Sequence, residues 1–360
     1  MNGVTDMNKV KVVVAMSGGV DSSVAACLLH EQGHDVVGMA IKSWPTELCG
    51  EEFKKGCYSP EDARSVAYRL GVPFYLVNLE ELFREKVVRY FVSEYTQGRT
   101  PNPCIPCNDH VKFGALLEKA QGMGYDFIAT GHYARIFYDP DRRRHLLKEA
   151  KYIEKDQSYV LFGLTQEKLS RILFPVGEMT KEEVRSQARR FGLRVAEKAE
   201  SQDACFLGGR DYRTYLAVEG VAKGEGEIVD ENGKILGKHP GLHAFTVGQR
   251  SGLGVSVGKA VYVTAIDLQK NRLVIGPRES LARREIWADG IHWISEEFSE
   301  GQTRELWVKI RYKNPKAKAS VRREGASCQV RFHEPAYAVT PGQAAVFYDE
   351  DTVVAGGWIR

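Results

Sequence analysis

Lys11-Val-Val-Val-Ala-Met-Ser17-Gly18-Gly19-Val20-Asp21-Ser22-Ser23 decides the fold. Lys11–Met16 is a continuous apolar run, the pattern of a strand buried on both faces. Ser22–Gln32 places Val24, Cys27 and Leu28 at helical spacing and stops at Gly33. Between strand and helix, Gly18 and Gly19 allow unusual dihedrals and a close approach of backbone to a ligand. The N–H groups at the helix start then face an anion, aided by the helix dipole. Ser17, Ser22 and Ser23 add hydroxyl donors, and Asp21 can orient the loop or a bound Mg²⁺. The spacing matches neither the Walker phosphate loop nor the dinucleotide fingerprint.

Outward from the loop, strands and helices alternate. Val36–Ile41, Pro73–Val77 and Asp126–Thr130 read as strands, and Glu61–Leu70 and Glu80–Tyr95 as helices. This alternation predicts a parallel sheet covered on both faces. Thr180–Phe191 reads as a further helix with Gly192 as its C-cap. Beyond about residue 215 the pattern turns to short β-branched stretches between glycine turns. Val261–Asp267 and Arg272–Gly276 form a predicted hairpin. Leu306–Arg311, Ala319–Arg323, Gln329–His333, Ala344–Tyr348 and Thr352–Ile359 read as strands of a barrel-like tail. The expected domains are 1–215 (catalytic), 216–278 (small, β-rich) and 279–360 (β-barrel).

With 360 residues, 43% hydrophobic and 27% charged, the chain is long enough for a large core and is not a disordered chain. No apolar run reaches membrane-spanning length and the first residues lack a signal-peptide pattern, so a cytoplasmic location is expected. The net charge of +3 announces no polyanion partner, and the local distribution of charge says more than the sum. Arg304–Arg331 holds nine basic residues against two acidic ones, and Arg142–Lys155 six against two. Two such stretches suit an extended polyanion, and equally two solvated faces. Seven cysteines, an odd number, do not read as a disulfide framework. Cys104 and Cys107 lie on a segment with three prolines, Thr100–Asn108, expected to stay extended. That C-x-x-C fits a redox pair, half a zinc site or part of an iron–sulfur site. Cys27 reads as core, Cys328 as a buried strand residue, and Cys49 and Cys57 fit no standard ligand spacing.

S-G-G-x-D-S resembles the pyrophosphate loop of ATP pyrophosphatases. The ordered set AMSGGVDSS, GRTPNPCIPCN, ATGHYAR, KDQSYVL, SQDACF, GLHAFTVGQRSGLG and AVTPGQAAVFY resembles the bacterial tRNA-specific 2-thiouridylase family from residue 15 to 348. The resemblance implies a PP-loop, adenine-nucleotide-hydrolase-like α/β domain followed by two β-domains. It implies ATP and Mg²⁺ as cofactors, and tRNA and a sulfur donor (a desulfurase, a relay protein or free sulfide) as partners. ATP would meet Ala15, Met16, Ser17, Gly18, Gly19, Val20, Asp21, Ser22, Ile41 and Gly131. Asn102 and Pro103 would meet the target base, and Lys155, Asp156, Gln157, Arg311 and Tyr312 the rest of the tRNA. Cys107 would be the nucleophile and Cys205 the persulfide carrier.

Many members of that family carry aspartate where this chain has Cys104. Cys104, Cys107 and Cys205 together supply three thiolates, enough for a [4Fe–4S] cluster with one open iron. A Cys205 persulfide route and a cluster route therefore compete. Two rival functions are an adenylating enzyme for a small molecule and a tRNA-binding protein without catalysis. Among smaller signals, His132 follows a strand end, as either a nucleotide contact or a structural histidine. Trp44 reads as a packed aromatic. Alternation along a strand would put Arg311 and Tyr312 on opposite faces.

Overall fold

The computed structural model describes residues 9–43, 59–198, 204–208, 210–221 and 224–360. Trp44, Cys49, Cys57 and Ser201–Asp203 lie outside them. The chain divides into two compact units. One comprises residues 1–87, 103–209 and 351–353, the other 88–102, 210–350 and 354–360.

The first unit is built on the expected parallel sheet. Strands β1 (Lys11–Ala15), β2 (Asp35–Lys42), β3 (Phe74–Asn78) and β4 (Phe127–Ala129) fall where the apolar runs predict them. The hairpin β5 (Ala134–Asp139) and β6 (Arg144–Glu149) and the two-residue strand β7 (Ile172–Leu173) carry no clear sequence signal. The sheet order is β3-β2-β1-β4-β7, with every pairing parallel. Val12, Val13 and Val14 are wholly buried, as a strand covered on both faces requires. Helix α1 (Val20–Glu31) and helix Lys181–Arg190 pack in one cluster with Val24, Ala25, Val184 and Ala188. The latter helix starts with a full capping box, Thr180 with Glu183, and Gly192 follows its end at φ +63°. Arg142 and Arg143 of the first basic stretch fall in the β5–β6 turn, and Arg144 opens β6.

The second unit holds two β structures. Strands β8 (Gly226–Asp230), β9 (Ile235–His239), β10 (Tyr262–Asp267) and β11 (Arg272–Gly276) form a sheet ordered β10-β11-β8-β9. The predicted hairpin is β10–β11, with Asn271 in the left-handed region at its turn. Strands β12 (Ala282–Trp293), β13 (Thr303–Lys309), β14 (Ala317–Glu324), β15 (Ser327–Tyr337), β16 (Ala344–Asp349) and β17 (Thr352–Ile359) follow the order β12-β15-β14-β13-β16-β17. A β12–β17 pairing closes this ring into a six-stranded barrel, which removes its open edges. Its core includes Leu306, Val330, Phe347 and Cys328.

Two local expectations fail. The segment 104–108 is helical rather than extended. Cys104–Pro106 begins a helix that widens to π geometry over Cys107–Ala115 and returns to α geometry over Leu116–Gly122. Pro106 sits in the first turn, where a missing N–H breaks no helical bond, and the Cys107 amide donates to the Pro103 carbonyl at 3.2 Å. Second, β13 ends at Lys309, so Arg311 and Tyr312 occupy the turn after it and strand alternation does not apply to them.

Candidate functional site

The order β3-β2-β1-β4 means that the chain leaves β1 for β2 on one side and returns to β4 on the other. The C-terminal ends of β1 and β4 therefore flank the crevice where open α/β sheets hold ligands. Met16–Gly19 leaves β1 there, and Thr130–His132 leaves β4 beside it.

The loop is fixed from several directions. Gly18 has φ +79°, and a side chain would place its Cβ 2.1 Å from the Ser59 carbonyl oxygen. The Ser59 amide donates back to the Ser17 carbonyl at 2.9 Å. Gly19 caps α1 without a side-chain bond, so hydroxyls gather around it instead. The Ser22 and Ser23 hydroxyls both donate to the Gly19 carbonyl, at 3.3 and 2.8 Å. The Gly19 amide donates to Ser17 Oγ at 3.3 Å, and the Ser17 amide to Ser22 Oγ at 3.2 Å. Gly131 closes the crevice from β4: a Cβ there would stand 2.5 Å from the Ser22 amide nitrogen. Of the other residues expected at the nucleotide, Met16 is buried, and Ala15 and Ile41 lie in β1 and β2.

Asp21 is tied to the protein. Its Oδ1 accepts from the Tyr133 hydroxyl at 2.7 Å. The Lys181 ammonium donates to Oδ1 and Oδ2 at 2.7 and 2.9 Å, from a side chain only 8% exposed. On the loop's other side, Lys198 Nζ donates to the Gly18 carbonyl at 3.2 Å and to Asp62 Oδ2 at 2.8 Å. Neither lysine stands out in the sequence, because each partner is more than 130 residues away.

The cysteines differ in setting. Cys104, at the helix start, is exposed, and Cys107 is buried at 9% exposure. Burial pushes the Cys107 thiol up to about 11, against the pull of Lys112 and with a further push from Cys104 and Asp109. The surrounding protein also raises Cys104, again opposed by Lys112. Lys112 donates to His132 Nε2 at 3.4 Å, and His132 Nδ1 then carries the proton toward Thr130 Oγ1 at 2.7 Å. Burial holds this ring neutral, and it packs against Phe113 and Phe174. Burial raises Asp109 to about 7, opposed by Lys168, and its Oδ1 has no hydrogen-bond partner among the described residues. Cys205 opens a short 3₁₀ turn, exposed, beside Phe206, whose ring meets Phe83 edge-on at 6.1 Å. Cys27 and Cys328 are buried thiols pushed to about 12, inert core residues.

The three-thiolate centre that the cluster route requires is not formed among the described residues. Among the described residues no group of three His, Cys, Asp or Glu side chains could hold a metal ion, Cys104, Cys107 and Cys205 included. The residues as placed do not fit a [4Fe–4S] cluster. No helix among the described residues is long and apolar enough to cross a membrane.

The residues expected at RNA are differently engaged. Asp156 is buried: its Oδ1 accepts from the Ala150 and Ser158 amides, and its Oδ2 from the Ser158 hydroxyl. Gln157 Oε1 accepts from the Tyr133 amide at 2.9 Å. Lys155, Asn102 and Pro103 are half-buried. Arg311 donates to the Val247 carbonyl at 3.0 Å and to Thr340 Oγ1 at 2.5 Å, and Lys309 sits 5.8 Å from the Tyr312 ring centre.

Parallel sheet and switch-point crevice define an α/β protein with a glycine–serine loop at a helix start, followed by a small β-domain and a β-barrel. Family profiles agree: residues 10–209 match a tRNA methyl transferase HUP domain, 213–277 a tRNA methyl transferase PRC-barrel domain, and 283–359 an aminomethyltransferase beta-barrel domain. A tRNA-specific 2-thiouridylase MnmA of Geobacter metallireducens is 48% identical, over 99% of this chain and 98% of that one. One of Acetivibrio thermocellus is 47% identical over 98% and 100%, and one of Moorella thermoacetica 46% over 97% and 99%. The chain belongs to the tRNA-specific 2-thiouridylase family, a family of tRNA sulfurtransferases.

Proposed function

We propose that this chain thiolates C2 of the wobble uridine of tRNA in an ATP-dependent reaction through a Cys205 persulfide. The observation that carries the reading is the loop: Gly18 pressed on the Ser59 carbonyl and Gly131 on the Ser22 amide leave no room for a side chain at either glycine, and the Ser17, Ser22 and Ser23 hydroxyls gather at the start of α1. Such a site takes polyphosphate. ATP brings its Mg²⁺ as part of the substrate. Asp21, held by Lys181 and Tyr133, orients the loop.

In the first step the uridine C2 oxygen attacks the α-phosphorus of ATP and pyrophosphate departs. A poor leaving oxygen becomes part of an AMP ester. In the second, the terminal sulfur of a Cys205 persulfide attacks C2 and AMP leaves. The Cys107 thiolate then attacks the Cys205 sulfur, releasing the 2-thiolated base and leaving a Cys107–Cys205 disulfide that an external dithiol reduces. The exposure of Cys205 supports its loading by an outside sulfur donor, and the burial of Cys107 supports a thiol protected from that donor. Asn102 and Pro103 meet the target base, while Lys155, Gln157, Arg311 and Tyr312 contact tRNA. Asp156 acts from inside, shaping the turn that presents Lys155 and Gln157. No step passes through an iron–sulfur cluster.

The test is a single-turnover reaction of iron-free protein with ATP, tRNA and a ³⁵S-persulfide donor. One AMP and one pyrophosphate per 2-thiouridine are expected, with label first on Cys205. Thiolation without AMP formation, or thiolation only after iron and sulfide are restored, overturns the reading.

A further inference from the structure

Two lysines reach the phosphate loop, and their restraints differ. Lys181 is 8% exposed and bonded to both oxygens of Asp21. Separating that pair would strand two charges with little water to receive them. Lys198 is 20% exposed, its carboxylate partner Asp62 is 41% exposed, and its other bond is to a neutral carbonyl. An ion pair this open holds its ammonium weakly.

The Lys198 backbone, by contrast, is well fixed. Its amide donates to the Val195 carbonyl at 3.1 Å, and Arg185, from helix Lys181–Arg190, donates to its carbonyl at 3.2 Å. A fixed backbone with a lightly held ammonium at Gly18 sets a cation one residue from the Gly19 amide. The loop itself offers amides and hydroxyls and no cation of its own: Ser17 to Ser23 contains only the acidic Asp21. A pyrophosphate group arriving there carries several negative charges and would be met by dipoles alone.

We propose that Lys198 is the phosphate-gripping cation of the nucleotide site, leaving Asp62 and the Gly18 carbonyl for the β- and γ-phosphates, while Lys181 is a positioning residue that stays on Asp21. This rests on the nucleotide reading above. Asp62 is a parking place for the ammonium and competes with the ligand.

Calorimetric titration of the full chain with inorganic pyrophosphate and Mg²⁺, and separately with adenosine, tests it. Lys198→Ala is expected to weaken pyrophosphate binding at least tenfold and leave adenosine affinity unchanged. Asp62→Ala, which releases the ammonium, is expected to leave pyrophosphate binding equal to or tighter than wild type. A Lys198→Ala variant with wild-type pyrophosphate affinity overturns the assignment. So does an Asp62→Ala variant weakened as much as Lys198→Ala, which would show that the pair serves only as a latch. A wild-type chain that binds neither pyrophosphate nor adenosine instead brings down the nucleotide reading itself. Wild-type binding with insensitive variants brings down only the role of Lys198.

Discussion

Lys181 and Asp21, 160 residues apart in sequence, form a two-pronged ion pair at 2.7 and 2.9 Å that ties the start of one helix to the first turn of another. Asp21 is the acidic residue of the phosphate loop, and Tyr133 binds the same oxygen from the residue after His132. The loop's shape therefore depends on three chain segments that meet only in the folded state.

Replacing Lys181 with Met strands a partly buried carboxylate. Loss of one partner of a buried pair costs about 3–5 kcal/mol, and the 30% exposure of Asp21 reduces this to about 1–3 kcal/mol. Urea unfolding should show that loss, and the Lys181→Met, Asp21→Asn double variant should recover part of it. A single variant as stable as wild type would contradict the pairing.

Gly18→Ala meets two obstacles, a φ of +79° and a backbone oxygen 2.1 Å from the new Cβ. The left-handed conformation alone costs about 1–2 kcal/mol, and the clash forces the loop to move. ATP-dependent pyrophosphate release is expected to fall at least a hundredfold. Gly131→Ala, with its Cβ 2.5 Å from the Ser22 nitrogen, should behave alike although it lies in a different segment. Normal turnover in either variant would show that the loop geometry is not required.

Cys107 should react as a thiol that ionises late. With its thiol pushed to about 11, its alkylation rate by iodoacetamide should climb about tenfold per pH unit between pH 7 and 10. Lys112→Ala removes the charge that opposes this push, so the same rise should shift to higher pH. A plateau near pH 8 in the wild type, read by mass spectrometry of the Cys107 peptide, would contradict the buried setting.

Asp109 gives a stability signature of known sign. Burial raises its carboxyl from 3.8 to about 7, so between those values the folded chain holds a proton that the unfolded chain has lost. Its contribution to stability therefore falls as pH rises from about 4 to 7. Asp109→Asn removes this loss. At pH 8 the variant should exceed wild type by about 1–3 kcal/mol, and at pH 4 the difference should nearly vanish. Equal pH profiles of unfolding free energy would refute the assignment.

Much of this is legible in the residue order alone. Lys11–Met16 announces a doubly covered strand because six successive residues lack a consistently polar face. Ser17–Ser23 announces an anion site because glycine freedom, hydroxyls and a helix start coincide within seven residues. These are local facts, and backbone sterics and periodicity suffice to read them. Pro101, Pro103 and Pro106 suggest an extended segment for a local reason too, but proline in the first turn of a helix is tolerated, and Pro106 stands in such a turn.

What tertiary structure alone decided is how charges and thiols are matched across the chain. Lys181 on Asp21, Lys198 on Gly18 and Asp62, and Lys112 on His132 are contacts between residues 20 to 180 positions apart, and no spacing rule encodes them. Burial likewise separated exposed Cys104 and Cys205 from buried Cys107, and among the described residues it did not gather the three into a metal site. Residue order alone determines the local conformations that backbone geometry permits. Desolvation and pairing belong to the packed chain, because they depend on which distant surfaces exclude water together.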